Sequence, residues 1–292
     1  MKMAIIMQCH KGMEQINRII EFFNDDSIDI YIHIDKKSNI DSMINRKKNV
    51  NVLEERIDVK WGQFSQVEAT LALFNAIKTS GKVYKYIHFI SGQDYPIKTL
   101  EYIKKKFVSD NKQYIECIKM PVKTLVKNGA DRYKVYYPQW IINRPKCLWK
   151  RVLRVAYREF VLFTKVFERN MENIPEIYYG SSWFSITQEC MEYILSYIES
   201  NKMYYEFFKN SIYSDEMFFQ TIIMNSKFKN YIGENNLRYL DWSKKEESPK
   251  NLEQADIDCA MLSDNIFARK IDSIDIIEYI DRKLTNIEEV AK

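Results

Sequence analysis

Two adjacent carboxylates, Asp215 and Glu216, stand between Ser214 and the apolar run Met217-Phe218-Phe219. Serine is a favoured helix N-cap and acidic residues are favoured in a first turn, so the spacing predicts a helix starting at Ser214. A carboxylate held rigidly at such an end can take a proton from a hydroxyl as a general base. A plain acidic cap is the other reading of the same peptide. Further up the chain, Gly180-Ser181-Ser182-Trp183 forms a second polar and aromatic cluster. His10 and Asp35 close two short apolar runs, and His33 and His88 lie within such runs.

Other chemistries find little to build on. Cys9, Cys117, Cys147, Cys190 and Cys259 are odd in number, scattered, and free of CxxC pairs, which reads as reduced intracellular thiols rather than a disulfide or zinc framework. Neither GxGxxG nor GxxxxGKS occurs, and seven glycines leave little for a phosphate-cradling loop. With 44 basic against 40 acidic residues, the net charge of +4 gives no reason to expect nucleic acid. No apolar run approaches the roughly 20 residues of a membrane span, and residues 1–7 reach polar residues too soon for a signal segment. The expectation is a cytoplasmic protein.

The elements that must position these residues follow from apolar spacing. Strands are predicted over residues 4–7, 29–34, 51–53 and 86–90, and helices over 14–23 and 64–77. Strand, helix and strand within the first 35 residues make a βαβ unit and hence a parallel sheet. In open α/β sheets ligands bind at the carboxyl ends of the strands, where His10, Asp35 and the segment Ser91-Gly92-Gln93-Asp94 fall. A further helix is expected over residues 188–200. Residues 143–170 carry eight basic and two acidic residues, against a net charge of +4 for the whole chain. Within them Trp149, Val152, Leu153, Ala156, Phe160, Phe163 and Phe167 form one stripe at helical spacing. Two readings stay open: a core stripe with a solvated basic face, or a partly exposed helix over about 144–169 that docks on anionic membrane.

Taken in order, His10, His33-Ile34-Asp35-Lys36-Lys37-Ser38, Ser91-Gly92-Gln93-Asp94-Tyr95-Pro96, Gly180-Ser181-Ser182-Trp183, Ser214-Asp215-Glu216 and Phe267-Ala268-Arg269-Lys270 resemble the core-2/I-branching enzyme family. This is glycosyltransferase family fourteen, which also holds peptide xylosyltransferases, and the resemblance covers about residues 3–272. The lysine-, isoleucine- and asparagine-rich composition is closer to its bacterial members. The resemblance implies a single α/β domain of GT-A type, with a mostly parallel sheet and helices on both faces. Residues 1–110 would bind the nucleotide-sugar and 111–292 the acceptor. It implies inverting transfer from a UDP-sugar, most often UDP-N-acetylglucosamine or UDP-xylose, to a glycan acceptor, as in surface polysaccharide synthesis. It also implies independence of metal. Asp256-Ile257-Asp258, the sole DxD, is expected in a late helix.

Residue by residue, Glu216 matches the family's base and Lys270 a lysine on the donor diphosphate, with Lys250 as a second cation there. His10 and Asp35 are expected at the donor. Glu116, Arg132, Trp183 and Trp242 are expected at the acceptor. A metal-dependent transferase with Asp35 or Asp94 at the ion, and a non-catalytic sugar-nucleotide-binding protein, are the alternative functions.

Overall fold

The computed structural model describes residues 1–138, 148–244 and 248–290. Arg144, Lys146 and Cys147 therefore lie outside the described residues. The chain opens with β1 (Met3–Cys9), α1 (Met13–Phe22), β2 (Ile28–Ile34), β3 (Val50–Val52), α2 (Ser65–Ser80) and β4 (Tyr86–Ser91). These are the predicted strands and helices, each within a few residues. β5 (Tyr95–Pro96), α3 (Leu100–Lys106), β6 (Ile118–Lys119), α4 (Ala130–Tyr133) and α5 (Leu148–Thr164) follow. Then come β7 (Tyr178–Tyr179), β8 (Ser185–Thr187), α6 (Gln188–Ser200), α7 (Lys202–Lys209) and α8 (Phe218–Met224). The chain closes with β9 (Arg238–Leu240), α9 (Gln254–Leu262), β10 (Phe267–Arg269) and α10 (Ile274–Val290).

The central sheet runs β3-β2-β1-β4-β8, with the first four strands parallel and β8 antiparallel to β4. β1 and β2 are apolar almost throughout because both faces are covered. Met3, Ile5 and Met7 join Ile16, Ile19 and Ile20 of α1 in one core. Ala4 and Ile6 join Val67, Leu71 and Phe74 of α2 in the other. The period-two alternation of a strand thus feeds two hydrophobic layers, and helices lie on both faces as expected. A second sheet, β5-β10-β9, places the Phe267-Ala268-Arg269 strand beside Tyr95-Pro96. Asp256-Ile257-Asp258 lies within α9, as expected.

Two expectations need correction. Ser214-Asp215-Glu216 is a 3-10 turn, and the α-helix begins only at Phe218. The Ser214 hydroxyl does not cap: it donates to the carbonyls of Phe208 (2.9 Å) and Ser211 (3.0 Å), tying the turn to the end of α7. The second concerns α5, which spans 148–164 and leaves Phe167 outside the helix. Its apolar stripe faces solvent: Phe163 is 90% exposed, Val152 63% and Trp149 59%. The protein-facing side carries the buried Val161 and the half-buried Tyr157, Arg154 and Arg158. The core-stripe reading is therefore wrong for this helix.

Candidate active site

Glu216 is partly buried, its side chain 28% exposed, and its carboxylate accepts a hydrogen bond from the Arg132 guanidinium. Arg132 comes from α4, and its position is fixed by ring stacking. Its guanidinium lies over Tyr179 at 4.9 Å and over Tyr213 at 4.5 Å. Tyr213 enters the turn with φ of +53° and is packed edge-on against Trp61. Burial, with the adjacent Asp215 carboxylate second, pushes Glu216 up to about 7 against the opposing pull of Arg132. Asp215 is itself raised by burial, although the Ser182 hydroxyl donates to it at 2.6 Å. A carboxyl group that ionises near neutrality, with solvent access and a fixed cation, suits proton abstraction from a hydroxyl.

The Gly180–Trp183 turn is laced to this group. The Gly180 N–H donates to the Glu216 carbonyl at 2.9 Å, and the Gln220 amide donates to the Ser181 carbonyl at 2.8 Å. The Ser181 N–H donates to the Glu116 carboxylate at 3.0 Å. Glycine at 180 is a steric requirement, since a Cβ there would lie 1.8 Å from the Glu116 carbonyl oxygen. Trp183 then turns away toward the sheet. One face of its ring lies under the Arg269 guanidinium, 4.4 Å away, and Phe89 packs against it at 4.8 Å. Trp183, half-buried, thus bridges the Gly180–Trp183 turn to β4 and to the Arg269 strand.

Arg269 leads to the carboxyl ends of the parallel strands. It donates to the Ser91 hydroxyl and to the buried Asp94 carboxylate, the latter at 3.2 Å. Asp94 also accepts from the Ser91 N–H and hydroxyl at 2.5 and 2.6 Å. Lys270 follows, and among the described residues it has no ion-pair partner. Burial first, then Arg269 and Lys11, lowers its pKa, while Asp272 opposes them. His10 is exposed at the end of β1 and is also lowered, by burial and by Lys11 and Lys270 among others. The Ser38 hydroxyl donates to the His10 carbonyl at 2.8 Å, and the Asp35 N–H donates to the Cys9 carbonyl at 2.9 Å, so the ends of β1 and β2 are tied together. This edge combines a lysine with few compensating acids and strand ends that open to solvent, which favours an anion.

Not every predicted site residue joins these two groups. Glu116, Arg132 and Glu216 are brought together, with Trp183 on the same turn but packed against Arg269, and His10, Asp35 and Lys270 form a second group. Lys250 is near Lys270 through the backbone, its carbonyl accepting from the Lys270 N–H at 3.4 Å. Its ammonium, however, is held by Asp256 at 2.8 Å, with Asp241 at 4.0 Å. Trp242, half exposed on the loop after β9, follows Asp241 in the chain and makes no ring contact with the Glu216 group among the described residues. His33 accepts from the Ile57 N–H at 2.9 Å, and burial lowers it to about 4. His88 is buried against Ser185 and is lowered by burial to about 3. Both are neutral packing groups at neutral pH. Asp215, Tyr179, Tyr213 and Arg269 went unassigned from sequence, although Asp215 and Arg269 stand inside the motifs that were singled out.

Among the described residues no group of three His, Cys, Asp or Glu side chains is placed to hold a metal ion. Asp35 is engaged by the Lys37 ammonium at 3.2 Å and Asp94 by Arg269, so both carboxylates considered for a metal already face protein cations.

Comparison with known proteins gives a consistent result. The Core-2/I-Branching enzyme family matches residues 4–264. Xylosyltransferase 2 of Rattus norvegicus is 24% identical over 254 residues, covering 84% of this chain and 27% of the relative. Xylosyltransferase oxt of Drosophila melanogaster is 19% identical over 249 residues, covering 81% and 26%. The chain thus spans about a quarter of the length of these relatives. Among solved structures, mouse xyloside xylosyltransferase 1 in its apo form aligns with a TM-score of 0.37 and 9% identity over 91% of this chain and 96% of that one. The bifunctional glycosyltransferase WbbM aligns with a TM-score of 0.40 and 12% identity over 93% and 46%.

Proposed function

The chain belongs to the Core-2/I-Branching enzyme family of glycosyltransferases, and from that premise we propose that it transfers a sugar, with inversion and without a metal, from a UDP-sugar to a glycan hydroxyl. The observation that carries the proposal is Glu216: a carboxyl group pushed up to about 7 by burial, still reached by solvent and fastened by Arg132. Inversion is one in-line displacement. Glu216 takes the proton of the acceptor hydroxyl as that oxygen bonds to the anomeric carbon, and the bond from that carbon to the UDP oxygen breaks. The negative charge gathering on the leaving diphosphate is met at the strand edge by Lys270, with His10 beside it. Lys250 contributes there once a diphosphate draws it from Asp256.

The donor sugar that best fits the resemblance is N-acetylglucosamine, with xylose, named in the relatives, as the second choice. Engagement of Asp35 and Asp94 by protein cations supports metal independence, which activity in excess chelator tests directly. The test of the base is Glu216→Gln. UDP binding should be unchanged and transfer should fall by about 10²–10⁴-fold. Near-normal turnover in that variant would remove Glu216 from the mechanism.

A further inference from the structure

The packing of α5 is inverted with respect to an ordinary surface helix. Amphipathic helices of water-soluble proteins bury the apolar stripe and show solvent their charges. Here the side turned to the protein holds Val161, buried with Val135, Tyr137 and Ile212. On the same side Arg154 lies 5.7 Å from the Tyr137 ring, and Arg158 is 4.0 Å from Asp131. The Tyr157 hydroxyl donates to the Tyr136 carbonyl at 2.8 Å, and beyond the helix the Arg169 guanidinium reaches Ser211 at 2.5 Å. The helix is thus seated by Val161 and Leu162 together with the arginine and tyrosine side chains beside them. Leu148, Val152, Val155, Phe160 and Phe163 point outward, and exposed Val166 and Phe167 continue the apolar surface past the helix end.

The charges around this surface select its occupant. Both acids of the described segment are already neutralised: Glu159 by Lys127 at 2.8 Å and Glu168 by Lys134 at 3.2 Å. Arg151 and Lys165 are exposed and have no ion pair among the described residues. A second copy packed on this face would bring both sets of uncompensated bases into one interface with no acid among the described residues of the segment left free to pair with them. A surface with an apolar interior and anionic groups at its boundary meets both features at once. At about 1.5 Å per residue the 17 residues of α5 can lie flat along such a surface. No described helix is long and apolar enough to cross a membrane, so the contact is peripheral.

We propose that α5 lies in the plane of an anionic lipid bilayer, with Val152, Phe160 and Phe163 in the boundary between headgroups and acyl chains and Arg151 and Lys165 on the headgroups. Arg154 and Arg158, which sequence spacing alone would assign to the headgroups, are turned inward and take no part. The proposal is independent of the catalytic reading, because binding is measured without any sugar donor.

The test is flotation of the purified protein with vesicles of phosphatidylcholine alone and of phosphatidylcholine with 30% phosphatidylglycerol, a composition of about 7:3. Wild type should float with the anionic vesicles. Val152→Ser/Phe160→Ser/Phe163→Ser should bind about 30-fold more weakly or less, since most of the inserted apolar surface is gone. Arg151→Gln/Lys165→Gln should lose the preference for anionic over neutral vesicles, along with its sensitivity to salt. Because these side chains are exposed, each variant should melt within a few degrees of wild type, which confirms that it is folded. Failure of wild type to float, or equal flotation of the triple serine variant, would overturn the proposal. So would a lipid-free dimer in sedimentation velocity that the triple variant abolishes, which would assign the face to a second copy.

Discussion

Arg132→Met separates the contribution of the cation from that of the packing. The methionine can occupy the slot between Tyr179 and Tyr213, but it removes the charge that faces Glu216. Burial and Asp215 push the Glu216 pKa upward, and Arg132 opposes them both by its charge and by its hydrogen bond. A hydrogen bond to a charged group is worth about 1.5–3 kcal/mol net, and one pKa unit corresponds to about 1.36 kcal/mol. Losing it should therefore raise Glu216 by about 1–2 units, from about 7 into the range of about 8–9. At pH 7 the ionised fraction would drop from about one half to about one tenth or one hundredth, and transfer should fall by about 5–50-fold. Activity should return as the pH is raised toward the new pKa. Carboxyl ¹³C resonances of labelled glutamate, with Glu216→Gln identifying the signal, read the shift without a substrate. Initial rates of UDP release between pH 5.5 and 10 read its effect on transfer. An unmoved Glu216 titration in Arg132→Met would refute the argument, whatever happened to the rate. A rate loss independent of pH would mean that Arg132 acts on the acceptor instead.

Glu216 should also carry a stability signature. Its folded pKa is raised above the ordinary carboxylate value, so the folded state holds the proton more tightly and loses stability as pH rises from about 4.5 through about 7. Glu216→Gln should accordingly raise Tm above wild type at pH 8 and bring no gain at pH 4.5; an equal shift at both would contradict the assigned burial. Lys270→Ala should weaken UDP far more than uridine in calorimetric titrations, and equal weakening would move the diphosphate elsewhere. Gly180→Ala must displace the Glu116 backbone, because the added Cβ meets its carbonyl oxygen at 1.8 Å. We expect a loss of about 2–4 kcal/mol in denaturant unfolding, within the range of severe local clashes, and unchanged stability would show that the turn yields freely.

The parallel sheet was legible because β1, β2 and β4 are uninterrupted apolar runs separated by a helix-period segment, a pattern with few alternatives. The turn at Ser214-Asp215-Glu216 was misread because capping propensity is local, whereas the Ser214 hydroxyl is claimed by carbonyls of the preceding helix end and Tyr213 enters left-handed. Glu216 was singled out through its motif, but nothing nearby in sequence announces that Arg132 reaches it across 84 positions. The same limit applies to Trp183, which was expected at the acceptor and has one ring face against Arg269 of a distant strand. Periodicity showed that α5 has two faces and could not show which one the protein keeps. Lys250 illustrates a different difficulty: its charge was legible, while its capture by Asp256 depends on how the chain folds back before α9.

Arg238 lies at the start of β9 in the second sheet, yet its guanidinium donates to the carbonyls of Phe89 (2.9 Å) and Phe184 (2.6 Å) and to the Ser185 hydroxyl (2.8 Å). One fully buried side chain thereby rivets the sheet that leads into Lys270 to the strand pair that leads into Ser91 and out of Trp183. The two sheets are cross-linked through one side chain, so on the proposed mechanism the edge that carries Lys270 would be held to the β4-β8 strand pair by the scaffold rather than by a hinge. On that reading, product escape would fall to the segments outside the rivet, and turnover would be paced by loops rather than by the sheets.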